Sequence, residues 1–342
     1  MPTLLITGAA GFIGSRVVHE AGLRGVDLAL MSHRRPVAAS DPGAGSDPGT
    51  GPAHRVVRAD LADPRSLRGV CEGVDVLLHC ATQIGGTPEA NESVNAGGTR
   101  SLIEEARRAG VSRVVYVSTS SVYGRGTFRD ANPARLARNP GSPTSATRAA
   151  AEDAVLAADG IVLRPHLVHG PGDAWLVPEL TRLLRALPGT VEDWTARMSV
   201  VSVRDLARLV VGAALAPAAD LTSSTYHATH PVPVTAGTLL RAVARNARLT
   251  WPERDLSVRC ARELLAADRR LSHALDMLRT DHWFDGVPLW RDLGLAPGPG
   301  FATEFPADFP ARAVPWNGDA CDAAPGGGAA PHALVCGRAV DA

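Results

Sequence analysis

The tightest constraint on this chain lies at its start. An apolar run, Leu4-Leu5-Ile6-Thr7, breaks into Gly8-Ala9-Ala10-Gly11-Phe12-Ile13-Gly14 and resumes as Ser15-Arg16-Val17-Val18. A strand, a glycine turn and a helix start in that order leave few folds open. Gly8 supplies the positive φ of a tight turn, Gly11 lets the backbone approach a pyrophosphate, and Gly14 lets the helix pack closely on its strand. The N–H groups of the helix start, at Phe12 and Ile13, then meet the phosphates. The strand before and the helix after give the glycines a meaning that their spacing alone does not carry.

With 342 residues the chain is long enough for a full α/β core and a smaller appended lobe. Its formal net charge of +0 provides no basic field for nucleic acid. No apolar run approaches the roughly 20 residues of a membrane span. The first strand begins almost at Met1 without a basic leader, so no signal peptide is expected and the expectation is a cytoplasmic protein. Five scattered cysteines, without a C-x-x-C pair, read as reduced thiols, and no metal site is expected. There is no lysine: all 35 basic residues are arginine, in a chain rich in Ala, Gly and Pro. Any mechanism that needs a lysine ammonium or Schiff base is excluded.

Asp27–Ser32 is a continuous apolar run, as a buried parallel strand should be. Its end distinguishes two dinucleotides, since an acid there binds the ribose 2′-OH of NAD whereas a 2′-phosphate needs cations. Here the strand ends Ser32-His33-Arg34-Arg35, with no acid, and NADP is expected. Residues 37–54, rich in Gly, Pro, Ser, Asp and Ala, read as a flexible insertion without chemistry.

The spacing G-x-x-G-x-x-G, written TGAAGFIG, resembles the opening of the extended short-chain dehydrogenase/reductases. Further segments resemble the same family over about residues 3–300, densely over the first 170 and loosely beyond. The third strand, 55–61, ends in Asp60-Leu61, which the resemblance puts at the adenine edge; a helix cap is the other reading of Asp60. The fourth, 74–82, ends in His79-Cys80-Ala81-Thr82, of which Cys80, Ala81 and Thr82 match a small-residue turn beside the nicotinamide ribose. Asn95-Ala96-Gly97-Gly98-Thr99 resembles an N-x-x-G-T whose Asn supports the active-site helix. The fifth strand, Arg113–Val117, leads into STSSVYG, and Thr119 stands where relatives polarise the reacting carbonyl. Tyr123 in that motif reads as a packing or pocket-wall residue, with a proton-donor role as its rival. Residues 124–141 carry four arginines and read as a mobile basic flap at the substrate mouth. The stretch 161–172 resembles the sixth strand, whose Arg-Pro passes the nicotinamide carboxamide; Pro165 and Leu167 are its cofactor candidates. A strand-to-helix stretch at 198–207 and helices at 235–249 and 261–279 follow.

One match is broken. Ser142-Pro143-Thr144-Ser145-Ala146-Thr147-Arg148 and Glu152 align without a gap to the family's S-P-Y-x-x-S-K-x-x-x-E, so Thr144 replaces the Tyr and Arg148 the Lys. Residues four apart share one helix face, which is how that pair acts together. Thr144 can donate a hydrogen bond and is expected, with Thr119, as a polarising hydroxyl at the carbonyl, but it is a poor proton donor, and no protein general acid is expected. Arg148 can hold ribose oxygens, yet its pKa above about 12 removes it from acid/base work.

The expected fold is a Rossmann-type doubly wound parallel α/β sheet with a smaller C-terminal substrate lobe. Residues 1–172 form the NADP-binding core, 173–305 a mixed substrate lobe part of whose chain can return to the core, and 306–342 a weakly structured tail. Three functions stay open: an NADPH-dependent ketoreductase without a protein general acid, a nucleotide-sugar ketoreductase or epimerase, and an inactive NADPH-binding sensor. The first resembles the tyrosine-less angucyclinone ketoreductases of antibiotic biosynthesis, and its partner would be a small aromatic ketone.

Overall fold

The computed structural model describes residues 1–33 and 54–304. Arg34, Arg35, most of the expected insertion and the expected tail beyond 305 lie outside the described residues.

Seven strands form one parallel sheet: β1 (Thr3–Thr7), β2 (Asp27–Ser32), β3 (His54–Arg58), β4 (Val76–His79), β5 (Arg113–Val117), β6 (Ile161–Arg164) and β7 (Thr225–His227). Their order in space, β3-β2-β1-β4-β5-β6-β7, reverses direction between β1 and β4. That reversal is the switch point where open α/β sheets bind ligands, outside the carboxyl ends of the strands. Side chains alternate between two buried layers. Leu4, Ile6, Leu28, Leu30, Val76, Leu78, Val115 and Val117 face one core. Leu5, Ala29, Met31, Leu77, Val114 and Tyr116 face the other. A strand buried on both sides reads as a continuous apolar run, as Leu4–Ile6 of β1 and Val76–Leu78 of β4 do, and the buried polar ends Thr7 and His79 bond to each other.

Helix α1 (Phe12–Leu23) covers the first face beside a later helix, while α2 (Gly98–Arg108) and α3 (Pro143–Leu156) cover the second. After β6 the chain leaves the sheet. The stretch expected as one strand is two, because Leu167–His169 pairs with Val200–Ser202 in a separate ribbon. Helix α4 (Leu176–Ala186) belongs to the lobe, α5 (Val203–Leu215) returns to pack on α1, and β7 closes the sheet edge. The lobe has its own core around Leu180, Leu183, Trp194, Leu239, Leu240 and Leu275, with α6 (Ala236–Asn246) inside it.

Two expectations are corrected. The helix expected over 261–279 is two, Val258–Leu265 and Arg269–Leu278, because the Asp268 carboxylate accepts from the N–H groups of Arg270 and Leu271 and starts a new helix. The segment 124–141 is docked rather than a free flap. Its Phe128–Ala131 forms a strand beside His282–Phe284, Arg129 binds Asp281 at 2.6 Å, and Arg138 binds Asp153 at 2.5 Å. The alternation of Phe128 with charged neighbours carried the strand signal, hidden among Gly and Pro.

Candidate active site

Gly8 takes φ +67°, and a Cβ there would stand 2.8 Å from the Ala81 backbone. A Cβ on Gly14 would lie 2.1 Å from the Gly8 carbonyl oxygen, so that glycine is what lets α1 start directly over β1. Gly11 differs. Its φ of −83° suits any residue, and an added Cβ would meet only the Gly8 oxygen, at 3.1 Å. Helix α1 has no side-chain cap and no acid in its first turn. By contrast α3, α5 and α6 begin on Ser142, Ser202 and Thr235, each accepting from the helix's own N–H groups. A helix start left uncapped at a switch point, with a glycine cradle beneath it, fits a dinucleotide pyrophosphate.

Around this cradle the expected residues fall into three groups. At the β2 end, His33 Nε2 lies 3.0 Å from Asp60 Oδ2, and Asp60 Oδ1 accepts from the Ala62 N–H at 2.9 Å. Leu61 is buried, and its carbonyl lies so close to α2 that a Cβ on Gly98 would approach it to 2.6 Å. At the β4 end, Thr7 Oγ1 and Thr99 Oγ1 hold His79 through Nδ1 (2.7 Å) and Nε2 (2.9 Å). Burial, with the Arg148 charge adding, pushes His79 down to about 3, so it is a neutral tie between β1, β4 and α2. Burial likewise pushes the neighbouring Cys80 thiol up to about 12, making it inert. Ala81 donates its N–H to Thr7 Oγ1 at 3.2 Å.

The third group surrounds the start of α3. Asn95 lies in a π turn, Glu92–Gly97, that runs directly from a short helix, Pro88–Asn91, into α2. Its Oδ1 accepts from Gln83 N (2.8 Å) and Thr82 Oγ1 (3.2 Å), and its Nδ2 donates to Gln83 O (2.9 Å) and Thr147 Oγ1 (3.2 Å). Asn95 thus pins the loop after β4 to α3. Thr144 donates to Asn91 Oδ1 at 2.9 Å. Thr119 caps the turn after β5, accepting from Ser121 N at 3.1 Å, and its hydroxyl points to Ser121 Oγ at 3.1 Å on the surface. Arg148 is buried, donates to the Val117 carbonyl and lies 5.8 Å from the Tyr116 ring centre; its Nε has no hydrogen-bond partner among the described residues. Pro165 is buried with its carbonyl accepting from Ser120 N and Oγ, and Leu167 lies in the ribbon that leads to the lobe.

Tyr123 is 2% exposed. Its oxygen accepts from Arg164 Nη1 at 2.7 Å, and its hydroxyl donates to His227 Nε2, also 2.7 Å away. Arg164 is gripped by Glu152 through two bonds, of 2.9 and 2.5 Å, and Ser118 donates to the same carboxylate at 2.5 Å. Burial raises the Tyr123 pKa by more than the Arg164 charge lowers it, and burial pushes His227 down to about 3. Sequence reasoning missed this network and Asn91. Asn91 had one signal, its spacing of four from Asn95 on a helix. Among the described residues no group of three metal-ligating side chains comes together, and no helix is long and apolar enough to cross a membrane.

Comparison with known proteins agrees with this geometry. The family described as NAD dependent epimerase/dehydratase matches residues 4–228. The chain is 28% identical over 325 residues to the 2-alkyl-3-oxoalkanoate reductase of Stenotrophomonas maltophilia (strain K279a), which covers 86% of this chain and 94% of that protein. It is 28% identical over 189 residues to the 4-hydroxy-2-methyl-3-oxo-4-farnesyl-3,4-dihydroquinoline-1-oxide ketoreductase of Stigmatella aurantiaca, covering 53% of this chain and 54% of the other. The solved structure of MoeE5 in complex with UDP-glucuronic acid and NAD is similar with a TM-score of 0.66 at 26% identity, over 90% of this chain and 98% of that one. The chain belongs to the NAD dependent epimerase/dehydratase family, the extended short-chain dehydrogenase/reductases, as an oxidoreductase that uses a nicotinamide dinucleotide.

Proposed function

We propose that this protein is an NADPH-dependent ketoreductase that reduces a carbonyl of an angucyclinone-type aromatic polyketide in antibiotic biosynthesis. The finer resemblance, to the angucyclinone 7-ketoreductase of the simocyclinone pathway, is part of this proposal. The observation that carries it is the replacement of the family's Tyr and Lys by Thr144 and Arg148, while the nearby phenol of Tyr123 is buried and bonded on both sides. Reversible oxidation of an unactivated sugar alcohol needs a base on the protein, and none of these groups supplies one. Reduction of an activated ketone tolerates the loss, since general acid catalysis contributes about 10²–10⁴-fold, or about 3–5 kcal/mol.

NADPH, when bound, supplies the hydride. The glycine turn and the start of α1 would hold its pyrophosphate, and Asp60 its adenosine end. His33, Arg34 and Arg35 would hold its 2′-phosphate, with Cys80, Ala81, Thr82, Pro165 and Leu167 beside the nicotinamide riboside. Thr119 orients the ketone. A phenol beside the carbonyl, or an ordered water, passes the proton, and solvent restores it.

The MoeE5 likeness favours a second reading, a nucleotide-sugar ketoreductase or epimerase. NADPH consumption against a panel of aromatic polyketide ketones and 4-keto nucleotide sugars separates the two. Turnover confined to the sugars would replace the first reading by the second.

A further inference from the structure

Thr144 occupies the position from which relatives deliver a proton, and the hydrogen bonds around it settle what its hydroxyl can do. The reasoning starts from backbone groups, whose donor and acceptor roles are fixed. The Gln83 N–H must donate and the Gln83 carbonyl must accept, so Asn95 faces them with Oδ1 and Nδ2 respectively. Its Nδ2 is also directed at Asn91, 3.3 Å away, which therefore presents an oxygen. The other end of the Asn91 amide lies 2.9 Å from the Gly85 carbonyl and 3.0 Å from the Thr87 carbonyl, and only an NH₂ group suits that place. Turning either amide over would set oxygen against oxygen and nitrogen against nitrogen.

Asn91 Oδ1 is thus an acceptor with a fixed direction, 99% buried, and Thr144 Oγ1 lies 2.9 Å from it. A threonine hydroxyl has one proton and two lone pairs. The proton goes to Asn91. The lone pairs have no other partner among the described residues, on a half-buried side chain in the first turn of α3, at the carboxyl end of the sheet beside the loop after β4.

Building on the ketoreductase reading, we propose that Thr144 is a specificity-determining hydrogen-bond acceptor, set by Asn91 as a positioning residue, and that it selects ketones carrying a free hydroxyl. Thr144 polarises no carbonyl. That task falls to Thr119, whose proton among the described residues is engaged with the exposed Ser121 hydroxyl and is easily redirected. The two threonines then read opposite groups on one substrate, a carbonyl that accepts and a hydroxyl that donates.

The test uses the full chain loaded with NADP⁺ and two probes, 5-hydroxy-1-tetralone, whose hydroxyl is too far from its own carbonyl to bond to it, and its methyl ether 5-methoxy-1-tetralone, titrated by calorimetry. Thr144→Val should weaken the hydroxy ketone roughly five- to ten-fold, the worth of one net hydrogen bond, and change the methyl ether by less than about two-fold. Thr144→Ser should restore the wild-type pattern. Asn91→Leu releases the Thr144 proton, so the methyl ether, which can only accept, should bind several-fold more tightly; Asn91→Asp keeps an acceptor in place and should not show this gain. Thermal melting of each variant confirms that it is folded. Equal losses for both probes in Thr144→Val would put a water at Thr144 and overturn the assignment, as would no loss for either. Failure of the wild-type protein to bind either tetralone would instead overturn the ketone reading on which the assignment rests.

Discussion

Tyr123→Phe separates a structural phenol from a catalytic one. The substitution removes one oxygen that accepts from Arg164 and donates to His227, each at 2.7 Å. Arg164 keeps both of its bonds to Glu152, so its charge stays paired and only Nη1 loses a partner. Loss of a bond to a charged group costs about 1.5–3 kcal/mol, and some of this is recovered because the ring still fills its space against Phe128 and Phe284. A net loss of about 2 kcal/mol lowers the melting temperature by roughly 3 °C for a chain of this size. The rate constant for ketone reduction at saturating NADPH should change by less than about three-fold, since the hydroxyl is committed within the network. A general acid would behave in the opposite way, losing about 10²–10⁴ in rate with little change in stability. Melting by circular dichroism and single-turnover NADPH oxidation on one preparation measure both. A hundred-fold fall in rate with NADPH binding intact would refute the assignment of Tyr123 to the network and the proposal that the substrate or water supplies the proton.

Direct titration should show NADPH binding more tightly than NADH, and Arg34→Ala should cost NADPH about ten-fold or more while sparing NADH; equal affinities would remove the 2′-phosphate role. Gly11→Val should abolish NADPH binding with a small change in melting temperature. Gly14→Ala forces a Cβ to within 2.1 Å of the Gly8 oxygen and should destabilise the fold by about 3 kcal/mol or more, seen as a lower denaturation midpoint. Burial pushes His79, His166 and His227 down to about 3. Their folded pKa values lie below the unfolded value near 6.5, so the stability they contribute is present above about pH 6.5 and is lost as pH falls toward 3. Each adds up to about 1.4 kcal/mol per pH unit in that window. His166→Phe, replacing a ring that stacks on His282, should flatten the dependence of melting temperature on pH between about 5 and 6.5, and an unchanged slope would count against this.

The sheet and the glycine turn were legible because their signals are local. Gly8 and Gly14 answer to a φ and a close approach within seven residues, and β1, β2, β4 and β5 are apolar runs that suit burial on both faces. The replacement of Tyr and Lys was legible for the same reason, as contiguous flanking letters fixed the register. Other features were not. A π turn at Glu92–Gly97 widens the helix without leaving a break in the apolar pattern. The Tyr123 network draws on Ser118, Glu152, Arg164 and His227, from four separate elements. The direction of the Thr144 proton depends on carbonyls at Gly85 and Thr87, which the side-chain sequence cannot display.

The docked segment after β5 also sets an order of assembly. Arg129 and Asp281, which join the strand Phe128–Ala131 to the edge formed by His282–Phe284, are 152 residues apart in the chain. At synthesis rates of about 5–20 residues per second, the first partner waits roughly 8–30 s for the second to be made. Through that interval β1 to β5 can already be stacked, while Phe128 still lacks the Phe284 ring that later covers it. A nascent chain that stops before Asp281 therefore carries a finished glycine turn while the aromatic cluster around Phe128 is still open, and that cluster closes only once Phe284 has been made.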